Sequence, residues 1–424
     1  MSYKLQNVVT GRVFDDTGWL LADPEYKTPA LIRAVYDKKH IDIGKRSDGI
    51  YRFADWLPIS RTLKNSSATV TYKSIKLADH LGLENLYISF SGYWPEKEAN
   101  MTTCSFKETE AYSVCGRLTG KESEVMVVAS AGNTARAFAR VCSDNDIPLL
   151  IVVPEDNLNA LWFNAPLKDC VKLISTPSGS DYFDAIDLAN QICKSDHFFE
   201  EGGAKNVARR DGMGTTVLSA AHEIGSIPDY YFQAIGSGTG AIAAWEANLR
   251  LIEDGRFGTH KMELILAQNY PFIPMYQAWK RGDRNIILGD EDEARNNALQ
   301  IEAKVLSNRR PPYGIAGGLF DAMCDAGGDM EIADNRELAE AATLFKNLEG
   351  NDIHPAAAVS LAGMIKSISN GKIDREKVIM LNITGGGEAR FKSENRLYYK
   401  KADIIIDNSA CIDVIHNSAE SLFL

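Results

Sequence analysis

The run Cys104-Ser105-Phe106-Lys107-Glu108-Thr109-Glu110-Ala111-Tyr112 follows an apolar strand candidate at 86–90 and opens a stretch of helical character. A lysine at such a junction is either a solvated surface charge, the commoner fate of that residue, or an amine held at a helix start for chemistry. Three further runs bear on the choice: Ser130-Ala131-Gly132-Asn133-Thr134, Gly236-Ser237-Gly238-Thr239-Gly240 and Thr384-Gly385-Gly386-Gly387. Each follows an apolar run of strand character, and the first two open helices.

Around these runs the chain alternates. A helix at 73–83 precedes the 86–90 strand. From 124 the pattern predicts strand 125–129, helix 134–144, strand 149–153, helix 157–168, strand 171–174 and helix 181–194. A second block predicts helix 214–224, strand 230–235, helix 241–254 and strand 262–267, then helices 336–348 and 355–369, strand 378–383 and a final strand 402–406. Strands alternating with helices at this spacing imply an α/β fold with parallel sheets. Residues 1–64 carry turn signals and little periodicity and read as an N-terminal cap. Residues 65–107 with 201–424 form the expected large domain, and 108–200 a smaller domain inserted into it, with a cleft between. The charged interval 283–312 reads as a surface excursion.

With 424 residues the chain has room for two cores. Apolar residues make up 45 % and charged residues 24 %, an ordinary globular balance. No apolar run reaches membrane-spanning length and Met1-Ser2-Tyr3-Lys4-Leu5 opens no apolar leader, so a cytoplasmic protein is expected, with no membrane partner. Against 46 basic residues stand 57 acidic ones, a formal charge of −11 without a basic tract. That balance excludes nucleic acid as a natural partner and requires a local cluster to hold any anion. The seven cysteines make no C-x-x-C pair and the seven histidines no H-x-x-x-H, so neither a disulfide framework nor a metal site is expected. No G-x-S-x-G or G-x-x-x-x-G-K-[ST] occurs.

The run 236–240 ends a strand and starts a helix, where backbone N–H groups and the helix dipole can receive a phosphate dianion. With Ala241 it also satisfies G-x-G-x-x-A, a dinucleotide fingerprint, although the next strand leads into Gln268-Asn269 rather than an acidic residue. A tight turn is the third reading. Asn133 could donate to a ring oxygen or, like Thr134, cap its helix. Thr384 precedes glycines that also read as a plain turn.

In this order the four motifs resemble those of the fold type II pyridoxal phosphate enzymes, the threonine synthase family in particular, over about residues 86–391. The family's N-P-T-G-S-F-K-D aligns with Met101-Thr102-Thr103-Cys104-Ser105-Phe106-Lys107-Glu108. The resemblance implies two parallel-sheet α/β domains with pyridoxal 5'-phosphate in the cleft, plus a small N-terminal segment. It implies that Lys107 carries the cofactor as a Schiff base and Asn133 meets its phenolic oxygen. Gly236, Ser237, Gly238, Thr239 and Gly240 would hold its phosphate, and the Thr384 hydroxyl would meet its pyridine nitrogen. The departures cluster where an amino-acid substrate would sit: Met-Thr-Thr-Cys for N-P-T-G, Glu108-Thr109-Glu110 for D-R-G, and Glu388-Ala389-Arg390 for L-K-D. The N-terminal run 5–11 looks like a zinc-ribbon start of that family without its cysteines.

The run from Cys104 to Tyr112 is similar to that of the methanogen cysteate synthases, relatives of threonine synthase that convert O-phosphoserine and sulfite to L-cysteate and phosphate on a route to coenzyme M. The resemblance therefore implies a β-replacement in which Lys107 takes and returns the Cα proton. Threonine synthesis from O-phosphohomoserine is the alternative within the family, and a dinucleotide-dependent oxidoreductase the alternative outside it. Two anionic reactants need cations or donors, and Ser130, Thr134, Arg136, Lys205, Arg209 and Arg390 are the candidate substrate contacts, with Arg210 beside Arg209. Related enzymes associate, so a homo-oligomer is expected.

Overall fold

Two parallel sheets, each covered by helices, organise the chain in a computed structural model that describes residues 2–121, 123–130, 132–180 and 182–424. Ala131 of the Ser130 run and Asp181, at the start of an expected helix, lie outside the described residues.

The larger sheet has six strands in the order Asp329–Ala333, Glu263–Asn269, Tyr230–Ala234, Val378–Ile383, Asn85–Phe90 and Val70–Lys73. The first five run parallel; the last pairs antiparallel with Asn85–Phe90. Alternate residues face opposite cores, as the pleat requires. Tyr231, Leu264 and Met380 join a core with helices Val207–Ile224 and Thr239–Asp254. Phe232, Ile265 and Leu381 join a second core with helix Pro355–Ser369.

The smaller sheet runs Phe198–Glu200, Val125–Ala129, Leu149–Pro154, Val171–Thr176 and Ile404–Ile405, all parallel. Its central strand, Leu-Leu-Ile-Val-Val-Pro, is buried along its whole length, as expected of a strand covered on both faces. Helix Asn133–Asp144 covers one face through Phe138 and Val141. Helix Tyr182–Ile192 covers the other together with helix Ile412–Glu420.

The C-terminal segment corrects the expected boundary. Residues 201–424 do not all belong to the larger unit, because Ile404–Ile405 is an edge strand of the smaller sheet and Ile406, Ile415 and Ala419 fill its core. The helix expected at 157–168 is absent: a 3-10 turn at Glu155–Ala160 leads into the short strand Trp162–Phe163, paired with Tyr398–Tyr399. Pro166 inside that span removes a donor and disfavours helix in the residue before it. The N-terminal cap is a three-stranded antiparallel sheet, Val13–Phe14, Tyr3–Asn7 and Ile32–Tyr36, whose Leu5 and Ile32 enter the core containing Leu251. No helix among the described residues is long and apolar enough to cross a membrane.

Candidate active site

Three of the four motifs stand just beyond the carboxyl ends of parallel strands: Ser130 after Val125–Ala129, Gly236 after Tyr230–Ala234 and Thr384 after Val378–Ile383. Ligands of open α/β sheets bind at such ends. The fourth, Lys107, begins helix Lys107–Arg117, whose first turn is tied to the Thr384 turn by Phe106 N–H donating to Thr384 O at 2.9 Å and Gly386 N–H to Cys104 O at 3.2 Å. The glycines allow that approach: a Cβ on Gly385 would lie 2.9 Å from Cys104 O.

Between the two sheets lies a cavity of about 550 Å³. Ser130, Asn133, Thr134, Lys107, Lys205, Arg209, Thr384 and residues 236–240 all line it. Gly236 carries no Cβ because one would come within 2.8 Å of Leu306 Cα and Val305 O, so the segment through Lys304–Leu306 packs directly on the loop.

Lys107 is 19 % exposed in its side chain, and Nζ donates to Glu110 Oε2 at 3.1 Å. Burial pushes its ammonium below the usual lysine range, against the pull of Glu110. Asn133 accepts at Oδ1 from Arg136 Nη2 at 3.0 Å. Guanidinium groups only donate, so that contact fixes the oxygen and leaves the carboxamide nitrogen as the donor toward the cavity.

Two expected substrate contacts stand elsewhere. Arg136 does not line the cavity: it is 2 % exposed, donates to Thr103 O and Ala160 O, and stacks 4.0 Å from the Trp162 ring centroid. Arg390 lies outside it as well, held on the surface by Glu96 and Glu394. Arg209 lines the cavity, but its charge is shared by Glu110 and Glu201. Its neighbour Arg210 is buried against Glu246. Lys205 is exposed at the rim, and its side chain has neither a hydrogen bond nor an ion pair among the described residues.

The cavity also holds groups that the motifs did not indicate: Tyr182, Glu201, Lys304, Arg310 and His354. Lys304 and Arg310 come from the interval expected as a surface excursion. Residues 283–300, helix Glu291–Gln300 included, are largely solvent-facing as expected, and the segment that follows forms cavity wall. His354 Nε2 lies 2.7 Å from Glu388 Oε2. Against the upward push of burial, His354, Arg136 and Lys392 hold the Glu388 carboxyl well below the usual range. Among the described residues no group of three or more His, Cys, Asp or Glu side chains could hold a metal ion.

Residues 75–385 match the family described as pyridoxal-phosphate dependent enzymes, and the chain belongs to that family. Its relatives include proteins named cysteate synthase: one from Methanosarcina acetivorans is 47 % identical over 89 % of this chain and 91 % of its own length, and one from Methanocella paludicola 48 % identical over 86 % and 85 %. Among solved structures, maize serine racemase superposes with a TM-score of 0.57 at 15 % identity, covering 77 % of this chain and 91 % of that one. Threonine deaminase isoform 2 of Solanum lycopersicum gives 0.53 at 18 %, covering 77 % and 87 %. These two share the fold, that of the fold type II enzymes. The family match overturns the dinucleotide reading of the glycine loop.

The cofactor is pyridoxal 5'-phosphate, and the residues present fit it. The N–H groups of Ser237, Gly238 and Gly240 have no acceptor among the described residues, and they surround the start of a 16-residue helix. Ser237 and Thr239 add hydroxyls 2.9 Å apart. Such a cradle suits a phosphate dianion, and the buried amine of Lys107 lines the same cavity.

Proposed function

We propose that the protein makes L-cysteate by β-replacement: the phosphate of O-phospho-L-serine leaves Cβ and the sulfur of sulfite bonds there. The observation that carries this reading is the charge of the cavity. Besides Lys107 and Arg209, which are tied to Glu110 and Glu201, three basic side chains, Lys205, Lys304 and Arg310, line it against Glu200, in a chain of formal charge −11. Leaving group and nucleophile are both anions, and a local positive field in an acidic protein concentrates them. The relatives named cysteate synthase support the same reaction.

Pyridoxal phosphate, when bound, supplies the electron withdrawal that loosens the Cα–H and Cβ–O bonds of the substrate. Lys107 is the residue that carries the cofactor, and its Nζ takes the Cα proton and returns it once sulfur has added. Burial favours the neutral amine that this step needs. The free N–H groups of the 236–240 loop would hold the cofactor's phosphate, Asn133 would donate to its phenolic oxygen, and the Thr384 hydroxyl would meet its ring nitrogen without supplying a full positive charge. Ser130 and Thr134, at the start of the Asn133 helix, face the amino-acid substrate. Lys205, with Lys304 and Arg310, receives the anions at the mouth.

Incubation with O-phosphoserine, following phosphate and amino-acid products with and without sulfite, tests the reading. L-Cysteate with matching phosphate is the expected outcome. Turnover of O-phosphohomoserine to threonine, with O-phosphoserine inert, would move the function to threonine synthesis. The same reading puts the enzyme in the cytoplasm as a homo-oligomer, which localisation and sedimentation measure.

A further inference from the structure

Glu110 contributes a fully buried carboxylate one turn along the helix that Lys107 begins. Residues three apart on a helix are neighbours, and its Oε2 accepts from Lys107 Nζ at 3.1 Å while its Oε1 lies 3.0 Å from Arg209 Nη2. Arg209 in turn donates through Nη1 to Glu201 Oε2 at 2.5 Å and through Nη2 to Thr134 Oγ1 at 3.5 Å. Lys107, Glu110, Arg209 and Glu201 thus form a row of alternating charge drawn from three segments. Tyr182 is the further titratable group that faces this row. Lys107, Arg209, Glu201 and Tyr182 line the cavity, whereas Glu110 stands behind them.

A carboxylate in that place does two things to the amine. It gives Nζ one resting direction, because a donor hydrogen must point at Oε2. It also favours the ammonium form in opposition to burial, which favours the neutral amine. Arg209 prevents Glu110 from being an uncompensated buried charge.

We propose that Glu110 is the positioning residue of Lys107: it fixes where the amine rests when it is not bonded to cofactor and sets the pH at which the amine becomes a base. This rests on the assignment of Lys107 made above. Glu110 acts through the amine and touches neither substrate nor cofactor.

The test reads Lys107 in the apoenzyme, as the fraction modified by an amine-reactive reagent at each pH, measured by peptide mass spectrometry. Glu110→Gln keeps size and an acceptor but removes the charge. The labelling midpoint is expected to fall by about one pH unit or more, and the acid limb of kcat in the holoenzyme falls with it. Glu201→Gln, two steps further along the row, moves the midpoint the same way by less. Glu110→Asp keeps the charge with a shorter reach, so the midpoint returns toward wild type while kcat drops below wild type, because the amine no longer rests in the same place. An unchanged midpoint in Glu110→Gln overturns the proposal; if that variant does not fold, wild-type kcat in Glu110→Asp together with an unchanged midpoint in Glu201→Gln overturns it. Borohydride reduction of the wild-type holoenzyme with peptide mapping keeps the two levels apart, since cofactor found on another lysine overturns the assignment of Lys107 whatever the midpoints show.

Discussion

Arg136 Nη2 donates to Asn133 Oδ1 at 3.0 Å, and the same guanidinium spans Thr103 O, Ala160 O and the Trp162 ring. A buried cation thereby sets the orientation of a carboxamide in the cavity wall. Arg136→Met leaves two carbonyl oxygens without a donor and removes a partner of Glu388, which lies 3.4 Å away. Stability is expected to fall by about 3–5 kcal/mol, and surviving protein should bind pyridoxal phosphate more weakly because the Asn133 amide can turn over. Chemical denaturation and cofactor titration measure the two effects; Asn133→Ala should show the second with little of the first.

Glu388 ties stability to pH. Its carboxyl is depressed in the folded protein, so its contribution is present above the unfolded carboxylate value, about 4.3, and is lost as pH falls through the lower folded value. Glu388→Gln should therefore cost on the order of 2 kcal/mol near neutral pH. The difference from wild type should shrink below about pH 4.3. Thermal or denaturant melts across pH 3 to 8 are the measurement, and a constant difference would count against the ion cluster.

Gly236→Ala drives a methyl group against the backbone of Val305 and Leu306, which cannot yield as a flexible side chain would. Overpacking of about 1–3 kcal/mol should appear as a loss of cofactor affinity of roughly tenfold or more. Fluorescence titration of the apoenzyme reads it, and the α/β circular dichroism should remain.

Lys205→Ala should raise KM for the anionic substrate several-fold with little change in kcat. The effect should fade at high salt, because the ammonium is exposed and acts through a field that ions screen. Initial rates at two ionic strengths decide; an equal loss at both would mean direct contact instead.

The sheets and the turns that line the cavity were legible because buried parallel strands are continuous apolar runs and the glycine turns that follow them are short and local. What the sequence did not disclose has a common cause in long-range pairing. Trp162–Phe163 is a strand only because Tyr398–Tyr399 reaches it, and Lys304 meets the site only because Gly236 lets the chain come close. Asp329–Ala333 escaped notice for a related reason: an edge strand that carries Asp329 and Glu331 for Lys372 lacks the apolar continuity of its neighbours. Basic side chains were the hardest to place. Arg136 and Arg390 lie close in sequence to cofactor motifs, yet one is consumed by carbonyl oxygens and the other by surface carboxylates. Glu110 could have been noticed from its spacing to Lys107 alone.

The late return of the chain to the smaller sheet bears on how the protein is made. Val171–Thr176 waits for Ile404–Ile405, and the face carrying Val127, Leu150 and Ile174 waits for Ile415 and Ala419. During synthesis the inserted unit leaves the ribosome long before those residues do, so for about half of translation part of an apolar face and a parallel edge stay uncovered. The smaller sheet is therefore closed only by residues 404–419, although residues 108–200 are complete long before.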